Sequence, residues 1–358
     1  LASHRAYTPV CFPSNSSYLH PMKRRLPAEW EPQSAVQLTF PHAGTDWADM
    51  LEEVLPVFVQ IAETIARFQH VLVVCHNTPE TRSLLRNIPE DRLILVEIPS
   101  NDTWARDHGG ITVEQDGKPV VLDFVFNGWG LKFPADKDNR ITGHLCQQGV
   151  FKVPCIPGGL ALEGGGIESD GQGTLLTTAE CLLSPNRNPH LDKAQTEDAL
   201  KTLFGLERVL WLHHGYLEGD DTDSHIDTLA RFCDPHTIAY VRCDDPADPH
   251  YEALEAMKKE LRALTRADGK PYRLAPLPWP QACYAADGHR LPATYANFLL
   301  INGAVLVPLY DVPQDAAAMS AFRELFPERE VIGINCRPLI EQHGSLHCIT
   351  MQYPTGTL

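Results

Sequence analysis

The sequence is short of positive charge. Lys and Arg total 30 against 46 Asp and Glu, which leaves a net charge of −16. Phosphate recognition needs a basic surface, so a nucleic-acid partner is disfavoured and a small cationic ligand is favoured. No apolar run approaches the ~18 residues of a membrane span. Residues 1–21 lack the apolar core of a secretory signal and read as an extended or poorly ordered N-terminal segment. The ten cysteines include no C-x-x-C pair, which argues against a zinc site or a disulfide framework. Several, such as Cys75 after Val71–Val74, fall in apolar runs and read as buried free thiols of a reducing, cytoplasmic compartment. No Gly/Ser linker or charge block divides the 358 residues, so a single domain over 1–358 is expected.

What is present is an alternation of short strand and helix signals. Leu51, Val54, Leu55, Phe58, Ile61, Ala62 and Ile65 recur at three and four, the face of a helix. Strands are predicted at 35–40, 71–75, 93–98, 209–212, 225–232, 237–241, 331–334 and 346–351. Helices are predicted at 197–204, 251–264 and 316–325, the first ending before Gly205. Asp116-Gly117, Asp170-Gly171 and Asn302-Gly303 mark hairpins between apolar runs. This irregular αβ repeat implies an α/β fold closing around an axis. Periodicity does not set the number of units.

Four constellations could carry chemistry. Asn101 to Asp107 places two carboxylates, a guanidinium and Trp104 on a loop at a strand end. A structural pair between Arg106 and an Asp, beside a half-buried Trp, would read the same. In Asp220 to Asp227, His225 is preceded by three carboxylates and followed by Asp227. On a strand His225 and Asp227 share a face, the arrangement of a tuned acid–base group. A calcium-type loop of Asp220, Asp221 and Asp223 is the alternative, without the Gly and Glu an EF-hand requires. In His343 to Thr350, Cys348 is a candidate nucleophile or one more buried thiol. His347 would face away from it on a strand, as a bystander. In Leu162 to Ile167, three glycines permit a close backbone approach beside Glu163, and a turn with a solvated Glu fits equally. Phe126 to Gly130 is an aromatic turn whose Trp129 could wall a pocket.

Together, in order, these segments resemble the agmatine deiminase family, which is related to bacterial peptidylarginine deiminases. The resemblance also draws on Arg25-Leu26-Pro27-Ala28-Glu29-Trp30-Glu31-Pro32, Leu183 to His190 and Tyr295-Ala296-Asn297-Phe298. It implies a five-bladed α/β propeller of pseudo-fivefold ββαβ units around a central channel. It implies hydrolysis of agmatine to N-carbamoylputrescine and ammonia, without metal or cofactor, through a covalent amidino-cysteine. Cys348 would be the nucleophile, His225 the acid and base, and Asp107 and Asp227 the carboxylates on the guanidinium. Trp104 and Trp129 would wall the alkyl chain, Asp221 would take the distal amine, and Glu163 would be a further carboxylate near the guanidinium. A homo-oligomer is the family default. The sequence departs from the usual pattern at His343-Gly344, at Ser224 where Gly is common, and at His108-Gly109-Gly110. Deimination of free or peptidyl arginine, and guanidine or polyamine binding without catalysis, are the competing expectations.

Overall fold

Short apolar runs become strands of six sheets among residues 23–358, the part of the chain that the computed structural model describes. Five sheets share one pattern. Two strands pair antiparallel, a helix follows, and a further strand adds parallel to the second. The pattern is clearest at 299–301 and 304–309, which pair antiparallel before the helix Asp315–Leu325 and the parallel strand Glu330–Asn335. It recurs at 230–234, 237–241 and 273–277, and at 167–169, 174–178 and 208–212. It recurs again at 111–115, 118–125 and 155–161. In the fifth case a strand late in the chain meets an early one. Thr350–Pro354 pairs antiparallel with Gln33–Thr39, which is followed by the helix Leu51–Ala66 and the parallel strand His70–Cys75.

Local chemistry accounts for these elements. Asp116 and Gly117 both take positive φ, as a two-residue hairpin turn requires. Asp170-Gly171 and Asn302-Gly303 likewise join antiparallel strands. The helix Lys193–Phe204 starts with a reciprocal Asp192–Gln195 capping box and ends at left-handed Gly205. The helix Leu51–Ala66 buries Val54, Phe58, Ile61, Ala62 and Ile65 on the face read from spacing. Burying each of the larger apolar side chains contributes about 1.5–3 kcal/mol. Trp104, Trp129 and Cys348 belong to the larger of two hydrophobic clusters, so the future site is set into packed core.

Three expectations need correction. The strand predicted at 225–232 is a short 3-10 turn at Ile226–Thr228, and the strand begins only at Ala230. The strand predicted at 346–351 likewise begins at Thr350, and His347 and Cys348 lie in the turn before it. Both turns bury polar side chains that bond to one another, and a regular ladder would point half of them elsewhere. The cysteines are not all free. Cys146 and Cys155 form a disulfide, because the chain after the helix Ile141–Gln147 doubles back to the strand Cys155–Ala161 and leaves their Cα atoms 6.2 Å apart. Seven others are free and buried. The N-terminal segment 1–21 and Cys11 lie outside the described residues.

Candidate active site

Four segments far apart in sequence converge. The single helical turn Ala105–His108 presents Asp107, whose carboxylate accepts from the Trp129 indole N–H at 2.9 Å and the Gly165 N–H at 3.1 Å. His225 Nδ1 lies 3.7 Å from Asp107 Oδ1. Gly165 makes this meeting possible, since a Cβ there would lie 2.5 Å from His225 Nδ1 and 2.8 Å from Asp107 Oδ1. Asp227 Oδ2 is held by His347 Nδ1 at 2.7 Å and by the Asn297 amide at 3.3 Å. The Cys348 sulfur sits 3.8 Å from Asp227 Oδ2 and 3.2 Å from Asn297 Nδ2. Asn297 Oδ1 in turn accepts from the backbone N–H groups of His347 and Cys348, which fixes the turn carrying the sulfur.

Among these fixed groups some atoms are left without partners. Asp227 Oδ1 and both ring nitrogens of His225 are buried and make no hydrogen bond. A buried acceptor and an imidazole left open are costly unless a ligand completes them. Burial pushes the Asp107 carboxyl up to about 6, with Asp227 and Glu163 adding and His225 opposing. Burial pulls His225 toward neutral, but Asp107, Cys181 and Glu163 outweigh it and raise its pKa to about 10. Burial also opposes the charge on Asp227, yet the His347 contact holds its carboxyl below the usual range. Burial, Asp227 and Asp107 push the Cys348 thiol well above its ordinary value. A planar cation between Asp107 and Asp227 would be favoured by both carboxylates.

A cavity of about 880 Å³, counted with its open mouth, leads to Cys348 and Asp107. Trp104 and Trp129 wall it, with ring centroids 6.4 Å apart in an edge-on arrangement. Gly344 packs its backbone on the Trp104 ring, where a Cβ would overlap it. Asp46, Asp102, Asp138 and Asp221 also line it, and no Lys or Arg does among the described residues. Burial, with Asp46 nearby, raises the Asp102 carboxyl to about 7.

Cys348, Asp107, Trp104, Trp129 and Asp221 all reach the cavity wall. Asp227 and His225 stand against Cys348 and Asp107. Glu163 does not line the cavity. Its carboxylate accepts from Arg187 Nε at 2.8 and 2.9 Å. Glu163, Cys181 and His225 hold ligand atoms within 4.8 Å of one another, the spacing of a metal site. Arg187 already supplies the positive charge beside that carboxylate. The Asp220 carboxylate accepts from Thr222 and Ser224, and Asp223 pairs with Arg187 and Lys132 at 2.6 Å each, so the acidic loop is tied up internally. Arg106 does not pair with Asp107. It turns away to Glu29 at 3.5 Å. His347 is not a bystander, because the turn buries its ring between Asp227 and Glu29. Glu29, Asn297 and Arg187 received no role from spacing, although each falls in a segment that carried the resemblance. Cys181 lay outside those segments.

A family model described as Porphyromonas-type peptidyl-arginine deiminase matches residues 25–354. An agmatine deiminase from Pseudomonas fluorescens is 34% identical, over 92% of this chain and 95% of its own. Among solved structures, an agmatine deiminase from C. jejuni with substrate bound matches with a TM-score of 0.89 and 36% identity, covering 96% of this chain and all of its own. A Porphyromonas gingivalis structure named for arginine deiminase matches with a TM-score of 0.90 and 57% identity, covering 94% and 100%. With the model match spanning nearly the whole chain and the site assembled from the same segments, the chain belongs to the family of agmatine deiminases and Porphyromonas-type peptidyl-arginine deiminases.

Proposed function

We propose that this protein hydrolyses the guanidinium of agmatine to N-carbamoylputrescine and ammonia. One observation carries the reading. The Cys348 sulfur and Asp107 line a cavity that bears carboxylates and no Lys or Arg among the described residues, and against them stand an unpartnered carboxylate oxygen of Asp227 and an unpartnered imidazole. A planar cation with N–H donors on two sides completes Asp107 and Asp227 together. Trp104 and Trp129 then flank the alkyl chain, and Asp221 takes the distal ammonium. Glu163 acts on the guanidinium end through His225 and Arg187.

The bound cation cancels the two carboxylates that hold the Cys348 proton in place. The sulfur releases that proton to solvent and attacks the guanidinium carbon, forming a C–S bond. His225, cationic beside Asp107, donates its proton to one nitrogen. The C–N bond breaks, ammonia leaves and an amidino-thioether remains. Neutral His225 then takes a proton from water, whose oxygen attacks the same carbon. The C–S bond breaks and the ureido product leaves, returning the thiol. No step calls for a metal or a redox cofactor.

The five recurrences of paired strands, helix and parallel strand support a five-bladed propeller, with the site on its axis. The pairing of 350–354 with 33–39 supports a single domain, and a homo-oligomer remains the family expectation. Arginine is the second reading, favoured by the 57% identity to a structure named for arginine deiminase. Against it, an α-carboxylate in the outer cavity would meet Asp46, Asp102 and Asp221 with no lining Lys or Arg. Assay of ammonia and ureido product from agmatine, arginine and a blocked peptidyl arginine separates the two. Turnover of agmatine, lost in Cys348→Ala, is expected. Preference for arginine would move specificity to the outer carboxylates, and no turnover of any guanidine by folded protein would overturn the reading.

A further inference from the structure

We propose that His347 is a cationic positioning residue whose imidazolium, clamped between Glu29 and Asp227, keeps Asp227 ionised and aims its free oxygen at the guanidinium. The inference rests on the proposed reaction for the identity of the ligand. Its geometric basis is independent of that. His347 Nδ1 lies 2.7 Å from Asp227 Oδ2 and Nε2 lies 2.6 Å from Glu29 Oε2, with the ring buried. A neutral imidazole has one N–H. It would leave a lone pair facing one of the two carboxylates at hydrogen-bond distance, unless that carboxyl were protonated. Neither carboxyl favours protonation even with the ring's own charge set aside, because Glu29 meets Arg231 at 3.0 Å and Arg106 at 3.5 Å, and Asp227 lies in the field of His225 and Arg231. Two N–H donors on the ring satisfy both contacts.

The surroundings balance that charge. Glu29 also meets Arg231 at 3.0 Å and Arg106 at 3.5 Å, and Arg231 meets Glu168 at 2.8 Å. With His347 cationic, the buried cations Arg106, Arg231 and His347 face Glu29, Asp227 and Glu168, the last pushed up to about 7 by burial. Asp107, His225 and Cys348 complete the ionisable groups around Asp227. Burial and the two guanidiniums pull the ring below the ordinary imidazole range, against the opposite pull of Glu29 and Asp227. The two short contacts are what hold its second proton. Because Nδ1 takes Oδ2, Oδ1 alone is left open. His347 touches no reacting atom and acts through Asp227.

The test pairs kinetics with spectroscopy. In His347→Gln, the side chain still donates to Asp227 but carries no charge, so the Asp227 carboxyl rises. The acid limb of kcat/KM for agmatine should move to higher pH by a unit or more. At pH 7 the value should fall at least tenfold, mostly in KM, and recover as pH rises. A residue that only filled space would lower the melting temperature and leave the limb in place. In 15N-histidine-labelled wild type, both ring nitrogens of His347 should be protonated at pH 7.5, the signals being assigned by their loss in His347→Gln. If that variant does not fold, Glu29→Gln assigns them, and its ring should be neutral with the proton on Nδ1. A neutral His347 in the wild type, or an unmoved acid limb in folded His347→Gln, overturns the proposal. Should the wild type turn over no guanidine, the reaction reading fails alone, and the ring's protonation still decides the charge assignment.

Discussion

Cys348 is a reluctant thiolate, because burial and two carboxylates raise it. Alkylation by neutral iodoacetamide should therefore be slow at pH 7 and keep accelerating above the ordinary thiol range of about 8.5. A plateau near pH 7 would contradict this. Ser224 shows a different residue-scale effect. It stands where the family commonly has Gly, at φ +60°, directly after Asp223 at φ +65°. The left-handed backbone costs a non-glycine residue about 1–2 kcal/mol. Here the Ser224 hydroxyl bonds Glu180 at 3.0 Å and its N–H bonds Asp220 at 2.7 Å. Ser224→Ala, which keeps the strain and loses the hydroxyl, should be less stable than Ser224→Gly by about 1 kcal/mol in denaturant melts. Equal stability of the two would remove the strain argument.

At the scale of elements, the site depends on turns where ladders were expected. The turn Gly164–Gly166 lets Asp107 and His225 meet, and adding a methyl at Gly165 would wedge them apart. Gly165→Ala should lower kcat by at least ~100-fold, as a displacement of ~1 Å at reacting groups does, with the far-ultraviolet spectrum unchanged. Gly344→Ala should instead act on binding. It pushes the Trp104 ring off the turn, so KM should rise several-fold while the chemistry at Cys348 continues. If both variants shifted kcat and KM alike, the separate roles of the two turns would be wrong.

At the scale of the molecule, the charge of −16 and the acidic cavity mouth act together. For a dicationic substrate kcat/KM should fall as ionic strength rises toward 0.15 M, where the screening length drops to about 8 Å. Asp102, raised to about 7, adds a pH dependence of its own. Below that pH it is neutral and above it is an anion, so KM for agmatine should fall as pH rises from 6 to 8. Asp102→Asn should flatten that dependence. The Cys146–Cys155 disulfide closes a loop with a sequence separation of 9, and neither cysteine lines the cavity. Replacing both by Ser should cost about 2–3 kcal/mol on chain-entropy grounds and leave kcat/KM as it was.

Most helices and hairpins were legible because their causes are local. Helical spacing, Asp-Gly and Asn-Gly turns and the cap at Gly205 act within a few residues. The four residues proposed to react stood out in short segments, and the resemblance supplied their roles. The close backbone approach suggested by Gly164-Gly165-Gly166 is met at Asp107 and His225. The partners of those residues were not legible. His347 with Glu29, Arg187 with Glu163 and Asn297 with the cysteine turn join positions far apart in the chain, and no local rule brings them together. The two strands that became turns have the same origin, since β-propensity yielded to the bonding of buried polar side chains. The sequence by itself determined the α/β alternation, the acidic character and the segments that carry Cys348, His225, Asp107 and Asp227. Only the tertiary structure decided which groups hold them, which atoms stay open, and that Cys146 meets Cys155, because each of those is a distance across the fold.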